Sequence, residues 1–204
     1  MKEARFISLE GIEGSGKTTS LQTINKILDK QSIEHINTRE PGGSSIGNEL
    51  RELLLNKKTT ISSEVELLLM LADRKDHVDK VIKPNLNKGT WVVTDRFMDS
   101  TMAYQGGGRG LEISKIELIA GALELPVPAL TLLFDLPVNL AFQRIADREN
   151  LDRFESEPID FHNKIREAYL RLAEKNKDRI VIIDSSKSLK EVSAQVKKAI
   201  NQIL

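Results

Sequence analysis

The stretch that decides the fold reads Glu10-Gly11-Ile12-Glu13-Gly14-Ser15-Gly16-Lys17-Thr18-Thr19. It matches the pattern G-x-x-x-x-G-K-[ST] at every fixed position from Gly11 to Thr18. A strand-like run, Arg5-Phe6-Ile7-Ser8-Leu9, precedes the pattern, and apolar residues at helical spacing follow it. A glycine-rich turn that binds nothing would not need this frame of strand, loop and helix, so we predict a phosphate-binding loop.

The chemistry of this loop follows from its backbone. Glycines allow a tight fold in which several N–H groups point at phosphate oxygens, and the helix that begins near Lys17 adds the positive end of its dipole. Lys17 would reach the β- and γ-phosphates, and Thr18 would offer its hydroxyl to a magnesium ion. The predicted nucleotide-binding residues are Gly11, Ile12, Glu13, Gly14, Ser15, Gly16, Lys17, Thr18 and Thr19.

Composition excludes several classes of protein. The chain has 204 residues, of which 40% are hydrophobic, enough for one domain with a sizeable core. Its 30 basic and 30 acidic residues cancel, and cysteine is absent, which fits a reducing compartment. Its first residues show no signal-peptide pattern, and no apolar run approaches ~18 residues. We therefore expect a soluble, cytoplasmic protein without nucleic-acid or membrane partners.

The rest of the chain alternates strand and helix patterns. Short apolar runs predict further strands at 33–38, 91–94, 130–134 and 180–183. Helices are predicted directly after the loop, at 45–55, from Ser63 to about Pro84, from near Pro137 and over the last residues. The residues from Ser63 to Glu66 form a predicted capping box at the start of the third of these helices. Strands separated by helices predict a parallel sheet covered on both faces, with ligands at the carboxyl ends of its strands.

Three polar or glycine-rich segments directly follow predicted strands: the phosphate loop, Arg39 to Gly43, and Asp95-Arg96. We expect them along one rim of the sheet. Asp95 could hold magnesium or accept a proton there, or it could only cap a helix, while Arg96 could form a surface ion pair. Arg74 falls on the apolar stripe of its predicted helix, so it extends to the rim of the core, is paired with a core carboxylate, or is directed at a ligand pocket.

Together with further motifs, these residues make the chain resemble the bacterial type of thymidylate kinase. The likeness runs through the phosphate loop, Thr38-Arg39-Glu40-Pro41-Gly42-Gly43, Asp95-Arg96-Phe97 with Ser100, Ala103-Tyr104-Gln105-Gly106, and Leu151-Asp152-Arg153-Phe154-Glu155. The later motifs are far more specific than the loop. The resemblance implies an α/β fold like that of P-loop nucleoside-monophosphate kinases. It implies a five-stranded parallel sheet in the order 2-3-1-4-5 within a single domain, 1–204, with a lid at about 144–158.

The resemblance also implies a reaction, which is transfer of the γ-phosphoryl group of ATP to the 5′-phosphate of dTMP on the route to dTTP. Both reactants are polyanions, so such a site must neutralise charge, hold donor and acceptor in line and exclude water. The implied magnesium ligands are Thr18 and Asp95, the latter directly or through water. The implied catalytic residues are Lys17, Asp95, Arg96 and Arg148.

On the acceptor side, the family match assigns residues to the phosphate and the sugar of dTMP. Arg39, Arg51 and Arg96 would grip the phosphate, because planar guanidinium groups suit bidentate contact. Glu13 resembles the family's acidic residue near the sugar 3′-hydroxyl, and could equally be a solvated loop carboxylate. Tyr104 would pack against the sugar, where its ring would clash with a 2′-hydroxyl.

The base would be read through its hydrogen-bonding groups. An arginine that donates to thymine O4 disfavours cytosine, whose amino group donates at that position. The resemblance assigns this role to Arg74, with Thr101 and Gln105 on the N3 side. Family members usually carry a phenylalanine one turn before this arginine, whereas this chain has Met70. The implied dTMP-binding residues are Glu13, Arg39, Arg51, Met70, Arg74, Arg96, Ser100, Thr101, Tyr104 and Gln105.

The lid is expected to supply a positive charge that the phosphate loop lacks. In this family a basic residue approaches the transferring phosphoryl group from either the loop or the lid, and loop positions 12–15 include no cation. The lid must then provide it, and Arg148 is the first candidate, with Arg144 and Arg153 as the alternatives. Taken alone, Arg144 fits a solvated surface charge better than a catalytic role.

Other classes of protein fit the sequence less well. A GTPase would need N-K-x-D, and the runs Asn56-Lys57-Lys58-Thr59 and Asn176-Lys177-Asp178-Arg179 lack the final aspartate. Another nucleotide or deoxynucleoside kinase shares the architecture, and is disfavoured by the segments Arg39 to Pro41 and Asp95 to Gln105. A nucleic-acid motor would need a basic face. The resemblance suggests a homodimer packed through helices, without indicating which ones.

Overall fold

The computed structural model describes residues 4–146 and 151–204. At their centre lies a five-stranded sheet in the order β2-β3-β1-β4-β5, and every neighbouring pair is parallel. The strands are β1 (Phe6–Glu10), β2 (His35–Arg39), β3 (Trp91–Asp95), β4 (Leu130–Asp135) and β5 (Ile180–Asp184). The fold and strand order implied by the sequence are confirmed.

Helical segments make the crossovers that parallel pairing requires. Those before β3 are α1 (Lys17–Lys30), α2 (Ser45–Leu55), α3 (Ser63–His77), a π-helical turn (Val78–Ile82) and α4 (Lys83–Asn87). Those between β3 and β4 are α5 (Met98–Thr101), a π-helical segment (Met102–Gly108) and α6 (Ile113–Gly121). Those after β4 are α7 (Val138–Ile145), α8 (Ile159–Lys175) and α9 (Leu189–Ile200).

Both faces of the central strands β1, β3 and β4 are buried, as their continuous apolar runs predict. Successive residues of β4 point to opposite sides. Leu132 packs on one side in a cluster with Ile24 and Leu28 of α1. Leu133 packs on the other side in a cluster with Ile165 of α8. The two layers of helices leave the carboxyl ends of the central strands as the place where polar side chains can gather.

Two predicted boundaries are wrong by a few residues. β2 covers His35–Arg39 rather than 33–38, because it pairs residue by residue with Trp91–Asp95 of β3. The helical run that begins at Ser63 continues past Pro84 to Asn87. It can do so because the π-helical turn intervenes and places Pro84 in the first turn of α4, where its missing N–H has no intrahelical partner to lose.

The predicted capping box at Ser63 does not form. Ser62 caps α3 instead, since its side chain accepts a hydrogen bond from the Val65 N–H. Glu66, which the box would use at the helix end, is 1% exposed and points into the protein. Within 4–146 and 151–204, no helix combines the length and the apolar character that crossing a membrane requires.

Candidate active site

A cleft of about 860 Å³ opens at the carboxyl ends of the strands. It is lined by the phosphate loop, by residues 39–41 at the end of β2 and by Asp95 and Arg96 at the end of β3, so the predicted meeting of these segments at one rim is confirmed. The lining also includes Arg51, Met70, Arg74, Ser100, Thr101, Tyr104, Gln105 and Arg144. Of the predicted nucleotide-binding residues, Gly11 and Ile12 are buried and do not line the cleft.

The phosphate loop is shaped by glycines. At Gly11, φ is +135° and an added Cβ would lie 2.5 Å from the carbonyl oxygen of Phe134, so no larger residue fits against β4. The chain then turns back so that Lys17 Nζ donates to the carbonyl oxygens of Gly11 at 3.0 Å and Ile12 at 3.2 Å. Burial and the positive charge of Arg96 lower the pKa of Lys17. The amine is therefore held in the centre of the loop.

Glu13 is part of a charged cluster and not a solvated loop carboxylate. Its Oε1 accepts from Arg96 Nη2 at 2.6 Å, and its Oε2 accepts from the Tyr104 hydroxyl at 2.8 Å. Burial alone would raise the pKa of Glu13, but the charges of Arg96 and Lys17 and the Tyr104 hydrogen bond bring it below its usual value. The Arg96 guanidinium also lies over the Tyr104 ring, 4.8 Å from its centroid.

Arg96 reaches this cluster through an uncommon backbone conformation. Its φ is +76°, in the left-handed region that non-glycine residues seldom adopt. The peptide is fixed because the Arg96 N–H donates to the Leu9 carbonyl at 2.9 Å, and the side chain turns back so that Nη1 donates to the Gly11 carbonyl at 3.0 Å. Arg96 therefore lies beside the phosphate loop, and the alternative of a surface ion pair is wrong.

A buried glutamate that the sequence analysis missed anchors the segment after Arg96. Glu10 accepts from the Phe97 N–H at 2.8 Å, from Ser100 Oγ at 2.6 Å and from the Tyr169 hydroxyl at 3.0 Å. Burial and the nearby Asp99 carboxylate raise its pKa to about 7. The sequence did contain a signal for this residue, which was its position. A glutamate at the end of an otherwise apolar strand must find hydrogen-bond partners inside the protein.

Asp95 has the environment of a cation ligand. Its Oδ1 is buried and has no hydrogen-bond partner among the described residues. The helix-cap alternative is wrong, because α5 starts at Met98 after Phe97 and has no side-chain cap. The described residues hold no cluster of three acidic or histidine groups that could bind a metal by themselves. One carboxylate at Asp95 and one hydroxyl at Thr18 suit Mg²⁺, which keeps water and phosphate oxygens as its other ligands.

Arg74 does not extend to the rim, and it satisfies the other two alternatives that the sequence left open. It is 2% exposed and donates from Nε to Glu40 Oε2 at 2.6 Å, so it is paired with a core carboxylate. It also lines the cleft, where Nη1 donates to Thr101 Oγ1 at 2.6 Å and Nη2 donates to the Phe97 carbonyl at 3.0 Å. The guanidinium plane is therefore fixed at the wall of the cleft.

Gln105 is oriented by another buried carboxylate. Its Nε2 donates to Glu66 Oε1 at 2.8 Å, and the second oxygen of Glu66 accepts from Arg153 Nη1, also at 2.8 Å. Arg109 completes the group, since its Nε lies 3.2 Å from both oxygens of Glu66. Glu66 thus connects the cleft wall with the segment that follows residue 150.

Two arginines near the end of β2 line the cleft. Arg39 is exposed at the strand end, and Arg51 reaches the same turn by donating from Nη1 to the Pro41 carbonyl at 2.8 Å. Burial and the positive charge of Arg39 lower the pKa of Arg51. Two guanidinium groups that repel each other at a cleft wall form a site that an anion would stabilise.

The comparisons with known proteins agree with the motifs. The family model for thymidylate kinase matches residues 9–196. The chain belongs to the thymidylate kinase family. A thymidylate kinase of Carboxydothermus hydrogenoformans is 45% identical over 194 residues, which is 95% of each chain. One from Chromobacterium violaceum is 42% identical over 205 residues, covering 100% of this chain and 97% of the other.

A solved structure shows the same fold. The crystal structure of thymidylate kinase from Ehrlichia chaffeensis superposes with a TM-score of 0.76 at 30% identity, covering 97% of this chain and 98% of that one. Family membership makes the chain a nucleotide-binding transferase, as the sequence resemblance implied.

The predicted lid, at about 144–158, is only partly described, and Arg148 lies outside the described residues. Arg153 is occupied elsewhere, since it donates to the Leu54 carbonyl at 2.8 Å as well as to Glu66. Arg144 donates to the Gly14 carbonyl at 3.3 Å and to the Ser185 carbonyl at 2.8 Å. It therefore contacts the phosphate loop, while the residue is exposed, as the sequence favoured.

Proposed function

We propose that this kinase transfers the γ-phosphoryl group of ATP to the 5′-phosphate of dTMP with the help of Mg²⁺, giving dTDP and ADP. One observation carries the proposal. A single cleft is lined by the phosphate loop, by Arg74, Thr101 and Gln105, and by Arg39, Arg51 and Arg96. This set of groups fits a phosphate donor, an acceptor base and an acceptor phosphate bound together in one cleft.

On the donor side, the loop and Lys17 bind and orient the nucleotide phosphates. Backbone N–H groups at the start of α1 point toward the cleft and favour anionic oxygens. Mg²⁺ held by Thr18 and Asp95 would neutralise charge that develops on the transferring phosphoryl group. Lys17 adds a fixed positive charge in a partly buried site, where it acts more strongly than in water.

On the acceptor side, Arg39, Arg51 and Arg96 surround the proposed site of the dTMP phosphate. Arg96 is the most rigid of them, because Glu13, Gly11 and the Tyr104 ring hold its guanidinium. A fixed guanidinium loses little conformational entropy when it binds phosphate. Glu13 then lies beside the phosphate-binding arginine, in the position where the sugar 3′-hydroxyl would pass.

The base is distinguished by the remaining donor of Arg74. Its Nε, both Nη1 hydrogens and one Nη2 hydrogen are directed at Glu40, Thr101, the Met98 sulfur and the Phe97 carbonyl. Within the described part of the chain, one Nη2 hydrogen is left to donate to thymine O4. The cytosine amino group offers that hydrogen no acceptor, so cytosine binding leaves a buried donor unpaired.

A substrate panel tests this function. ADP release is measured with ATP and Mg²⁺ while dTMP, dUMP, dCMP, dGMP, AMP and thymidine are offered separately. We expect clear preference for dTMP and strong discrimination against dCMP, because of the unpaired Arg74 donor. A preference for thymidine would contradict the proposed phosphate-binding arginines, and a preference for another monophosphate would contradict the proposed base contacts.

Restoring an aromatic residue with Met70→Phe is expected to keep or tighten dTMP binding. Met70 is partly buried, lines the cleft and packs on the cluster that contains Tyr104 and Phe154. A ring at this position would stack on the pyrimidine, a contact worth roughly 0.5–1.5 kcal/mol beyond area. Calorimetric titration of dTMP measures the change, with Met70→Leu as the control that lacks both the ring and the sulfur. A clear loss of affinity in the phenylalanine variant would mean that the pocket has a different shape.

The proposal includes a cytoplasmic homodimer. Large apolar side chains are exposed on α2 and α3, which pack against each other. They are Ile46 and Leu53 on α2 and Val65 and Leu68 on α3. Apolar exposure of this kind supports a protein partner on these helices, and a second copy of the chain is the one we propose.

A further inference from the structure

Behind the base-reading wall lies a buried histidine to which the proposed function assigns no role. His77, at the end of α3, is 0% exposed. Its Nδ1 lies 2.8 Å from Glu40 Oε1, and its Nε2 lies 2.7 Å from Thr38 Oγ1. Glu40 is itself 3% exposed, and its second oxygen holds Arg74. A continuous hydrogen-bonded chain thus runs from β2 through His77 and Glu40 to the cleft.

The chemistry of these groups fixes their orientation. An ionised carboxylate only accepts hydrogen bonds, so the Glu40 carboxylate requires a proton on His77 Nδ1. Arg74 occupies one carboxylate oxygen and His77 the other. Rotation of the carboxylate would therefore break at least one short buried hydrogen bond. The carboxylate is thus fixed, and so is the position of the oxygen to which Arg74 Nε donates.

His77 also supports the turn that follows β2. Gly43 lies directly on the imidazole ring, and an added Cβ would be 2.4 Å from it. A second contact attaches the same turn to α3, because the Gly42 N–H donates to Asp73 Oδ1 at 3.0 Å. In this position of the turn, the Pro41 carbonyl accepts a hydrogen bond from the Arg51 side chain. The His77 ring therefore contacts both the turn that binds Arg51 and the glutamate that holds Arg74.

We propose that His77 is a positioning residue that fixes Arg74 relative to Arg51, and thereby sets the affinity and base selectivity for dTMP. This inference rests on the proposed function, because it concerns the same acceptor site. His77 acts through Glu40 and the 40–43 turn and does not itself line the cleft. We therefore expect its effect at the acceptor site and not at the phosphate loop, which binds ATP.

The first test is His77→Leu, which removes both hydrogen bonds and keeps an apolar side chain. We expect KM for dTMP to rise about tenfold to a hundredfold, since a hydrogen bond to a buried charge is lost. The preference for dTMP over dCMP should fall, while KM for ATP should stay within about twofold of its original value, as expected for an unperturbed site. His77→Asn keeps a donor at the position of Nδ1, and should recover most of the dTMP affinity if Tm shows that it folds.

A double-mutant cycle separates positioning from simple packing. Specificity constants for dTMP are measured for His77→Leu, Arg74→Met and the combination. If His77 acts through Arg74, the second substitution adds little to the first. Glu40→Gln leaves the ring in place but weakens the hold on Arg74 directly, so its loss sets the scale against which the loss in the His77 variants is compared. Effects that multiply independently, or an equal rise in KM for ATP, would overturn the inference.

The two levels of the proposal fail in different ways. If the unmodified protein shows no preference for dTMP in the substrate panel, the proposed function itself is contradicted. If that preference is present and the His77 and Glu40 variants keep it with unchanged KM for dTMP, only the role of His77 is contradicted.

Discussion

Replacing Lys17 with methionine is expected to remove phosphoryl transfer and leave the fold intact. The amine lies at the centre of the phosphate loop, where burial keeps water from screening its charge. Methionine has a similar length and fills the same space without the charge. Loss of a single such charge from a preorganised site costs on the order of 10²–10³ in kcat, and the linked loss of phosphate affinity adds to this. Steady-state kinetics with dTMP and a thermal melt of the same sample measure both quantities.

Lys26→Met is the matched control for this experiment. Lys26 lies on the same helix, α1, and is exposed. It should keep both the activity and Tm of the unmodified enzyme. Retained turnover in the Lys17 variant would contradict the assignment of the phosphate loop as the donor site, whatever its Tm.

Arg148→Ala is expected to lower kcat by about 10³ and to leave KM for both substrates nearly unchanged, as for an arginine that contacts the transferring phosphoryl group. The expectation follows from the loop, whose positions 12–15 carry no cation. A group that binds only the transition state changes kcat, whereas one that also binds the ground state changes KM. Single-turnover measurements of the chemical step would show whether the loss lies there or in product release.

Two further variants make this result specific. Arg171→Ala, on the exposed surface of α8, should have no effect on kcat and controls for the loss of a charge. Arg144→Ala tests the alternative, because Arg144 already contacts the Gly14 carbonyl at 3.3 Å. An unchanged kcat in the Arg148 variant together with a large loss in the Arg144 variant would transfer the role to Arg144.

Much of this architecture could be predicted from local patterns. The apolar runs that end at Asp95 and Asp135 gave strands β3 and β4, and the complete glycine-lysine pattern gave the loop that separates β1 from α1. In a parallel sheet the strand ends share one rim, so the place of the cleft followed from the order of the segments. These features depend on residues that are close in sequence.

The buried carboxylates could not be predicted in the same way. Glu66 fits a helix-capping pattern locally, yet its partners Gln105 and Arg153 are 39 and 87 residues away in sequence. Glu40 likewise meets Arg74 across 34 residues. Tertiary partners of this kind override local preference, and no pattern in one sequence reveals which arginine will meet which carboxylate. The alternatives for Arg74 therefore stayed open until its contacts were known.

The shared carboxylate of Glu66 has a thermodynamic consequence. Its two oxygens divide between Gln105, at the base end of the cleft, and Arg153, in the segment after residue 150. If Gln105 contacts the base as we propose, a base that draws Gln105 toward itself would redistribute the charge that holds Arg153, and acceptor binding and the arrangement of that segment would then be linked equilibria. Linkage is reciprocal. The factor by which the bound base changes the equilibrium of that segment would equal the factor by which the segment changes the affinity for the base.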